Sequence, residues 1–291
     1  MQIRPTKTLF CHDIWQLESE IQLVSRQDDL TYIVVSETPF HPVSHIWPDH
    51  PADKGTISFG EHEYCVADCQ VGAVEHESGT LYVGKAIPVK RDTDGWSFVV
   101  VHCLSGSEAD LNVGNVVCLN VDKEYQQSLS RGHSAGHIAF LALNKVLAQS
   151  YWRKDADRKD PLGHFDFNSY AQETSFVTPD RCDDVYRLGK TLKKRGLNTA
   201  DVFAELADIE VKVNQQIGEW LSAESMVSMR LEGESLTDSR YWQWQLPGHD
   251  LAVIPCGGSH ISSTSELGSI CVSLIQKDAQ NIEMHTHVKT I

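Results

Sequence analysis

Two short motifs, far apart in the sequence, constrain most strongly how this chain can fold. The motif HSAGH (133–137) places two histidines at i and i+4, where both side chains project from one face of a helix. The motif CGGSH (256–260) has a cysteine and a histidine on either side of a glycine pair, which permits a tight reversal with positive φ. One sulfur and three nitrogens suit Zn²⁺ better than Mg²⁺ or Ca²⁺. The motifs therefore predict a metal site, and with it hydrolytic chemistry, formed by His133, His137, Cys256 and His260.

Each motif also has an ordinary interpretation. Histidine pairs at i and i+4 are common in helices that bind no metal, and HExxH zinc helices carry a glutamate general base where this chain has Ser134. Without a metal, Cys256 and His260 would be incidental residues of a turn that follows a strand. The two motifs together favour the metal site, in which water activation has to come from the metal or from another group.

The composition indicates a globular chain without membrane segments. Of 291 residues, 41% are hydrophobic and 22% charged, and no apolar run approaches the ~20 residues that cross a bilayer. The amino terminus lacks the apolar core and cleavage site of a signal peptide, so we expect a cytoplasmic protein. The eight scattered cysteines are too few for a disulfide framework.

The net charge of −15 argues against broad, non-specific binding to nucleic acid. One dense positive cluster nevertheless occurs, formed by Arg187, Lys190, Lys193, Lys194 and Arg195. Solvated helix ends or loops are its ordinary interpretation. A role in phosphate binding needs an independent reason to expect a phosphate-bearing substrate.

Hydrophobic patterning predicts an α+β fold in two domains, residues 1–125 and 126–291. Short β-branched or aromatic runs separated by turn formers predict a small barrel or sandwich in the first domain. These runs lie at 30–35, 63–67, 79–83 and 96–101.

The second domain is predicted to pack helices against a mainly antiparallel sheet. A helix over about 132–149, capped by Ser128 or Ser130, would carry the histidine pair, and apolar residues at threes and fours predict another over 199–221. Asp166, between two aromatic residues, is expected on a strand, where it makes a structural contact rather than acting as an acid. Strand patterns return at 226–231, 251–255, 269–275 and 282–288.

Other features of the sequence exclude some functions and leave others open. Segment 40–56 is rich in proline and histidine and is predicted to be a loop, in which we expect His41, His45 and His50 to be exposed. The sequence has no GxSxG nucleophile elbow, P-loop or GxGxxG motif. A nucleotide-activating or NAD-dependent enzyme is therefore not supported.

The two metal motifs resemble the HxxxH and CGGTH-type signatures of the editing domain of alanyl-tRNA synthetase and of its free-standing relatives, the AlaX proteins. Five further segments are similar to the family. They are TPFHP (38–42) with PADKG (51–55), similar to TPFYP…PSDTG; HFDF (164–167), similar to RFDF; the pattern IE..VN..I (209–217); and TSELG (264–268), similar to TGEIG. The resemblance covers most of residues 30–290.

This resemblance implies a small N-terminal β-barrel followed by a two-layer α/β editing domain in which the four motif residues bind zinc. It implies a hydrolase that deacylates mischarged alanine tRNA in trans, removing serine or glycine, without aminoacylation activity. The partner would be the acceptor end of the tRNA, whose phosphates give the cluster 187–195 a role. No catalytic side chain is implied beyond metal-bound water, and Asp166 and Arg153 are candidate pocket residues.

The chain departs from the family pattern at three places. The longer loop 43–50 replaces the family's GGGQ loop, the segment RKDA (153–156) stands where many members have QKGS, and Gly136 replaces the threonine of HSATH. We therefore expect a retained metal site, an altered amino-acid pocket, and enlarged space beside the metal at Gly136. Two alternatives stay open: a related metal-dependent hydrolase of another aminoacyl or small acyl ester, and a catalytically silent, zinc-braced binding module.

Overall fold

A computed structural model of the protein describes residues 3–27, 29–105 and 110–290. The chain divides into two compact units. The first contains residues 1–126, 231–240 and 257–259, and the second contains 127–230, 241–256 and 260–291. The described chain has both helices and mainly antiparallel sheets, which confirms the predicted mixture of secondary structure. The assignment of 1–125 and 126–291 as separate functional domains stays a prediction.

The first unit is built around a seven-stranded sheet whose pairings close on themselves. The strands in this part of the chain are β1 (Lys7–Thr8), β2 (Gln16–Gln27), β3 (Leu30–Val35), β4 (Glu37–Thr38), β5 (Gly55–Phe59), β6 (His62–Glu75), β7 (Leu81–Val83), β8 (Trp96–Ser105) and β9 (Val116–Val121). The sheet order is β5-β9-β2-β3-β8-β6-β7, and β5 also pairs with β6, so six strands form a ring. Outside this sheet, β1 pairs in parallel with β4, and a short 3-10 helix covers Gly84–Ala86.

Side chains of a strand point alternately to its two faces, so every second residue can contribute to the core of this ring. Ile21, Ile33, Val100, Leu104 and Leu119 are completely buried in one cluster. They lie in β2, β3, β8 and β9, which are neighbours in the ring. The predicted runs 30–35, 63–67 and 96–101 all fall within strands, whereas only part of the run 79–83 does.

The part of the chain after residue 122 contains all the helices longer than one turn that the described residues form. Its elements are α1 (Lys123–Ser150), α2 (Phe167–Ala171), β10 (Gln172–Thr178), β11 (Arg181–Arg187), α3 (Lys190–Arg195), α4 (Thr199–Ala204), α5 (Leu206–Leu221), β12 (Val227–Leu231), β13 (Arg240–Trp244), β14 (Ala252–Pro255), a 3-10 helix (Thr264–Leu267), β15 (Ser269–Gln276) and β16 (Asn281–Lys289). One sheet has the order β10-β11-β16-β15 and is antiparallel, and another has the order β12-β13-β14. None of the helices in the described ranges combines the length and apolar character needed to cross a membrane.

Helix α1 begins earlier than the sequence pattern predicts. It starts at Lys123, so Ser128 and Ser130 lie inside it instead of capping it. The Asp122 carboxylate accepts the backbone N–H of Tyr125 at 3.0 Å, as the side chain of an N-cap residue does. The cap therefore comes from the aspartate that ends the β-rich half, and the histidine pair lies well inside a long helix.

The second predicted helix is divided at Glu205. The backbone of Glu205 leaves the helical region with φ −111° and ψ 21°, and its carboxylate accepts the Tyr151 hydroxyl at 2.7 Å. After this break, α5 buries Ile209, Val213 and Ile217 with the predicted spacing of threes and fours. The periodicity is thus confirmed from Leu206 onward, and the single helix over 199–221 is wrong.

Two polar residues of α5 stabilise the edge of the four-stranded sheet. Asn214 donates to the carbonyl of Val272 at 2.7 Å and accepts its N–H at 2.8 Å, and Glu210 accepts the N–H of Leu274 at 2.7 Å. Strand β15 is an edge strand whose outer backbone groups lack a neighbouring strand. Side chains from α5 satisfy these groups, which explains why polar residues interrupt an otherwise apolar helix face.

Candidate metal centre

The histidine pair lies on helix α1 beside two glycines that bring this helix close to the hairpin β10–β11. A Cβ atom on Gly132 would lie 2.7 Å from the backbone N and O of Arg181, and one on Gly136 would lie 2.8 Å from the Sγ of Cys182. Glycine is therefore needed at both positions, because real Cβ atoms are not found this close to other heavy atoms. The expectation of enlarged space at Gly136 is wrong, since the Cys182 thiol occupies that position.

The second motif directly follows strand β14, which pairs with β13 as far as Pro255. Neither Gly257 nor Gly258 is among the described residues that have positive φ, so the expected left-handed reversal is wrong. The chain nevertheless returns on itself within this segment, because the Nε2 of His260 lies 3.2 Å from the Sγ of Cys256. The turn is made by ordinary backbone conformations.

The donor atoms of the four predicted ligands meet within the second unit. Metal-binding atoms of His133, His137, Cys256 and His260 all lie within 4.8 Å of one another. The Cys256 Sγ is their common neighbour, 3.4 Å from the Nε2 of both His133 and His137 and 3.2 Å from the Nε2 of His260. These four residues can hold a metal ion.

The donor types and the sulfur–nitrogen separations fit a tetrahedral zinc site. Zinc binds thiolate at about 2.3 Å and imidazole at about 2.0–2.1 Å, so tetrahedral angles separate sulfur from nitrogen by about 3.6 Å. The sulfur–nitrogen separations in the protein, 3.4, 3.4 and 3.2 Å, are slightly shorter than this value. The nitrogen atoms, which lie up to 4.8 Å apart, have to approach one another to about 3.3 Å when a tetrahedral ion binds. Three imidazoles and a thiolate also disfavour Mg²⁺ and Ca²⁺, which prefer oxygen ligands.

The surroundings keep the imidazole of His137 uncharged. Burial lowers the pKa of His137 to about 3, so at neutral pH the ring keeps a lone pair for a metal. Its ring centroid lies 5.0 Å from that of Trp242, which is completely buried, and 5.6 Å from that of Phe140. The rings of His133 and His260 stack with centroids 4.2 Å apart. Burial of His137 therefore favours its neutral imidazole, as metal ligation requires.

Sequence reasoning missed one polar residue of this centre, Ser134. It stands where HExxH helices carry glutamate, and for that reason it was assigned no role. Its hydroxyl lies 3.0 Å from the Nδ1 of His260. The sequence signal for such a role was a small polar residue between two candidate ligands of one helix. The role could not be predicted from this signal, because the partner, His260, belongs to the distant CGGSH segment.

The two candidate pocket residues lie elsewhere in the second unit. Asp166 is not on a strand: its carboxylate caps α2 by accepting the N–H of Ser169 at 3.1 Å, and it also accepts from Asn144 at 3.3 Å. Arg153 is exposed, and its backbone N–H donates to the carbonyl of Gly196 at 2.8 Å. Neither residue belongs to the four-residue cluster, so a pocket role for them stays a prediction.

The five basic residues of the predicted tRNA contact lie at the end of β11 and on α3. Four are exposed and the last is half-buried, in the order Arg187, Lys190, Lys193, Lys194 and Arg195. Arg187 pairs with Glu173 at 3.4 Å, and Arg195 pairs with Asp157 at 3.0 Å. Because surface ion pairs are weak, both arginines remain able to exchange these carboxylates for phosphates. The tRNA contact itself stays a prediction.

The histidines of loop 40–56 form a buried group in the first unit, contrary to the expectation of exposure. His41 and His50 are buried, with ring centroids 4.3 Å apart, and His45 is half-buried. The Asp53 carboxylate accepts the His41 backbone N–H at 2.7 Å and the Gln126 side chain at 2.5 Å. Burial lowers the pKa of His50 to about 4 and raises the pKa of Asp53 to about 7. Proline-rich composition indicates a loop but does not reveal that the loop folds inward.

Comparison with known proteins relates the chain to alanine–tRNA ligases. It is 25% identical over 289 residues to the ligase of Caldivirga maquilingensis, and the matched region covers 97% of this chain and 26% of the ligase. It is 25% identical over 286 residues to the ligase of Ignicoccus hospitalis, and this match covers 94% of the chain and 25% of the ligase. It is 24% identical over 288 residues to the ligase of Methanosarcina acetivorans, and this match covers 96% of the chain and 25% of the ligase. No family model matches.

The chain spans about a quarter of the length of the curated relatives it matches. The similarity extends over nearly all of this chain and therefore includes both metal motifs. It supports the resemblance to alanyl-tRNA synthetases, while the narrower assignment to the AlaX proteins stays a prediction.

Proposed function

We propose that this chain is a zinc-dependent hydrolase that deacylates mischarged alanine tRNA in trans, removing serine or glycine, and that it does not aminoacylate tRNA. The observation that carries this proposal is the convergence of three imidazoles and one thiol within 4.8 Å. The similarity to alanine–tRNA ligases supports it, because both motifs that supply these groups resemble the editing domain of that family.

The chemistry asked of these residues is modest. An aminoacyl ester is an activated acyl group, so its hydrolysis needs mainly positioning and help for an attacking water. When bound, Zn²⁺ supplies a Lewis acid toward the ester carbonyl and lowers the pKa of water to about 7. Cys256 contributes a thiolate to such an ion, and His133, His137 and His260 contribute neutral imidazoles. The low pKa of His137 favours this role, because no proton has to leave the ring when a metal binds.

The remaining parts of the proposal concern the substrate and the domains. We propose that the five basic residues between 187 and 195 bind phosphates near the acceptor end of the tRNA, and that residues 126–291 act as the editing domain. Residues 1–125 would form a small β-barrel, which is supported by the closed ring of six strands. A protein that edits charged tRNA would act in the cytoplasm, where we place it.

The number of protein donors is also compatible with one alternative function, a zinc-braced binding module. Catalytic zinc sites keep an open position, whereas structural sites are closed by four protein ligands. Four protein donors converge here, which fits a catalytically silent, zinc-braced binding module as well as a hydrolase in which one histidine yields to the substrate. Metal content alone therefore cannot separate the two functions, and activity has to be measured.

Metal analysis tests the centre itself. Purified wild-type protein should contain stoichiometric zinc, and Cys256→Ala should lose most of it because the common neighbour of the three imidazoles is removed. Cys271→Ala is the matched control, since Cys271 is an exposed cysteine outside the cluster. Equal zinc content in all three proteins would reject the proposed ligand set.

Deacylation of alanine tRNA charged with serine, glycine or alanine tests the activity. Wild-type protein and Cys271→Ala should release serine or glycine, and Cys256→Ala should not. Zinc binding without turnover on any of the three would eliminate the deacylase and support the zinc-braced module. Hydrolysis of simple esters but not of charged tRNA would support a related hydrolase of another substrate.

A further inference from the structure

The hydroxyl of Ser134, a buried residue of the HSAGH segment, forms hydrogen-bond contacts with the CGGSH segment and the residue after it. Ser134 lies on α1 between His133 and His137 and is completely buried. Its Oγ lies 3.0 Å from the Nδ1 of His260 and accepts the backbone N–H of Ile261 at 3.2 Å. The hydroxyl therefore contacts a candidate ligand and the residue directly after it.

The orientation of the His260 ring separates the tasks of its two nitrogens. Its Nε2 lies 3.2 Å from the Sγ of Cys256, on the side where the donor atoms converge. Its Nδ1 is directed to Ser134. A metal ligand has to present a lone pair, so a neutral His260 that ligates through Nε2 must carry its hydrogen on Nδ1.

The hydroxyl of Ser134 can accept that hydrogen. A serine oxygen has two acceptor sites, of which the N–H of Ile261 occupies one. The other can accept the Nδ1–H of His260. If the serine instead donated to Nδ1, the imidazole hydrogen would lie on Nε2 and His260 could not ligate through that atom. The direction of this one hydrogen bond thus decides whether His260 presents a lone pair to the centre.

We propose that Ser134 is a positioning residue that accepts a hydrogen bond from the Nδ1 of His260 and so holds the imidazole in the tautomer that ligates through Nε2. This inference rests on the proposed metal centre. A partner behind a ligating histidine typically changes metal affinity by about 10–100-fold when it is removed, because it fixes both the ring orientation and the tautomer.

Three variants separate the hydroxyl from the space that it fills. Ser134→Ala removes the hydroxyl, whereas Ser134→Thr and Ser134→Val place side chains of nearly the same shape at the site with and without a hydroxyl. Ser128→Ala is the control, because it removes a buried hydroxyl from the same helix outside the metal cluster. Zinc affinity is measured by chelator competition, and long-range proton–nitrogen NMR of histidine-labelled protein identifies the tautomer of His260.

We expect Ser134→Ala and Ser134→Val to bind zinc about 10–100-fold more weakly than wild type. In the NMR spectra of these two variants, His260 should no longer occur solely as the tautomer with its hydrogen on Nδ1. Ser134→Thr should bind zinc more tightly than Ser134→Val. Ser128→Ala should retain both the wild-type affinity and the wild-type tautomer of His260. If Ser134→Ala destroys the fold, the comparison of the threonine and valine variants still decides, since they share any strain from the added methyl group.

Two results would overturn the inference, and they differ. If wild-type protein binds no zinc, the metal centre fails and the inference fails with it. If wild type binds zinc but the threonine and valine variants have equal affinity and equal histidine spectra, the metal centre stands and the role of Ser134 is wrong.

Discussion

Replacing Gly136 by alanine tests whether close packing of helix α1 on strand β11 sets the position of the histidine pair. In an exposed helix interior, this change stabilises a protein by about 1 kcal/mol, because glycine loses more backbone entropy on folding. At Gly136, however, the new Cβ would lie 2.8 Å from the Sγ and 3.0 Å from the Cβ of Cys182. Forcing extra atoms into a packed core costs about 1–3 kcal/mol. We therefore expect Gly136→Ala to destabilise the protein by about 1 kcal/mol.

Gly218 provides the matched control. It lies inside α5, and a Cβ atom there would meet nothing within 4 Å. Gly218→Ala should therefore show only the gain in helix propensity, about 1 kcal/mol of stabilisation. The two variants should differ by about 2 kcal/mol in the free energy of unfolding, measured by urea unfolding followed by circular dichroism. If Gly136→Ala stabilises the protein as much as Gly218→Ala does, the proposed steric contact with Cys182 does not exist.

A double-mutant cycle assigns the cost to the contact itself. Cys182→Ala alone also removes a thiol that donates to Asp184 at 3.7 Å, so its own effect has to be subtracted. In the double variant we expect about 1 kcal/mol less destabilisation than the sum of the single variants. Zinc affinity should fall in Gly136→Ala, because the next residue is the ligand His137, and should recover partly in the double variant. Strictly additive free energies would contradict this account.

Two further predictions follow from buried groups. Burial raises the pKa of Asp53 to about 7, above its unfolded value of about 3.9, so the folded protein retains a proton and stability should fall as the pH rises from about 4 to 7. Asp53→Asn should therefore gain up to about 4 kcal/mol relative to wild type between pH 4 and 8 in urea titrations, and a constant difference would contradict the shift. Because the Trp242 ring lies 5.0 Å from that of His137, Trp242→Phe should reduce the fluorescence quenching caused by bound Co²⁺. Unchanged quenching in Trp242→Phe would refute the assignment.

Much of the fold could be predicted because the relevant signals are local. The threes-and-fours spacing of Ile209, Val213 and Ile217 depends only on helix geometry, and the structure has α5 there. The β-branched runs of the first half are strands for a similar reason, since the two-residue repeat of a strand is visible within a few positions. Boundaries were less predictable: α1 begins at Lys123 because Asp122, outside the apolar pattern, supplies its cap.

Errors occurred where a residue's role depends on a segment distant in sequence. Gly136 was interpreted as added space, but Cys182 from strand β11 occupies that space. The loop histidines were expected at the surface, but Asp53 accepts the backbone N–H of His41 and the loop folds inward. Asp166 was placed on a strand, but the chain turns at that point into α2 and uses its carboxylate as a cap.

For the metal centre, sequence alone determined which donor types are available and that His133 and His137 share a helix face, because i,i+4 spacing is a local property. Only the tertiary structure decided that Cys256 and His260 reach the same point, and that the Ser134 hydroxyl lies behind the His260 ring. The physical reason is that donor chemistry belongs to individual side chains. Convergence within 4.8 Å depends instead on how closely α1 packs on β11 and on the path of the chain after β14.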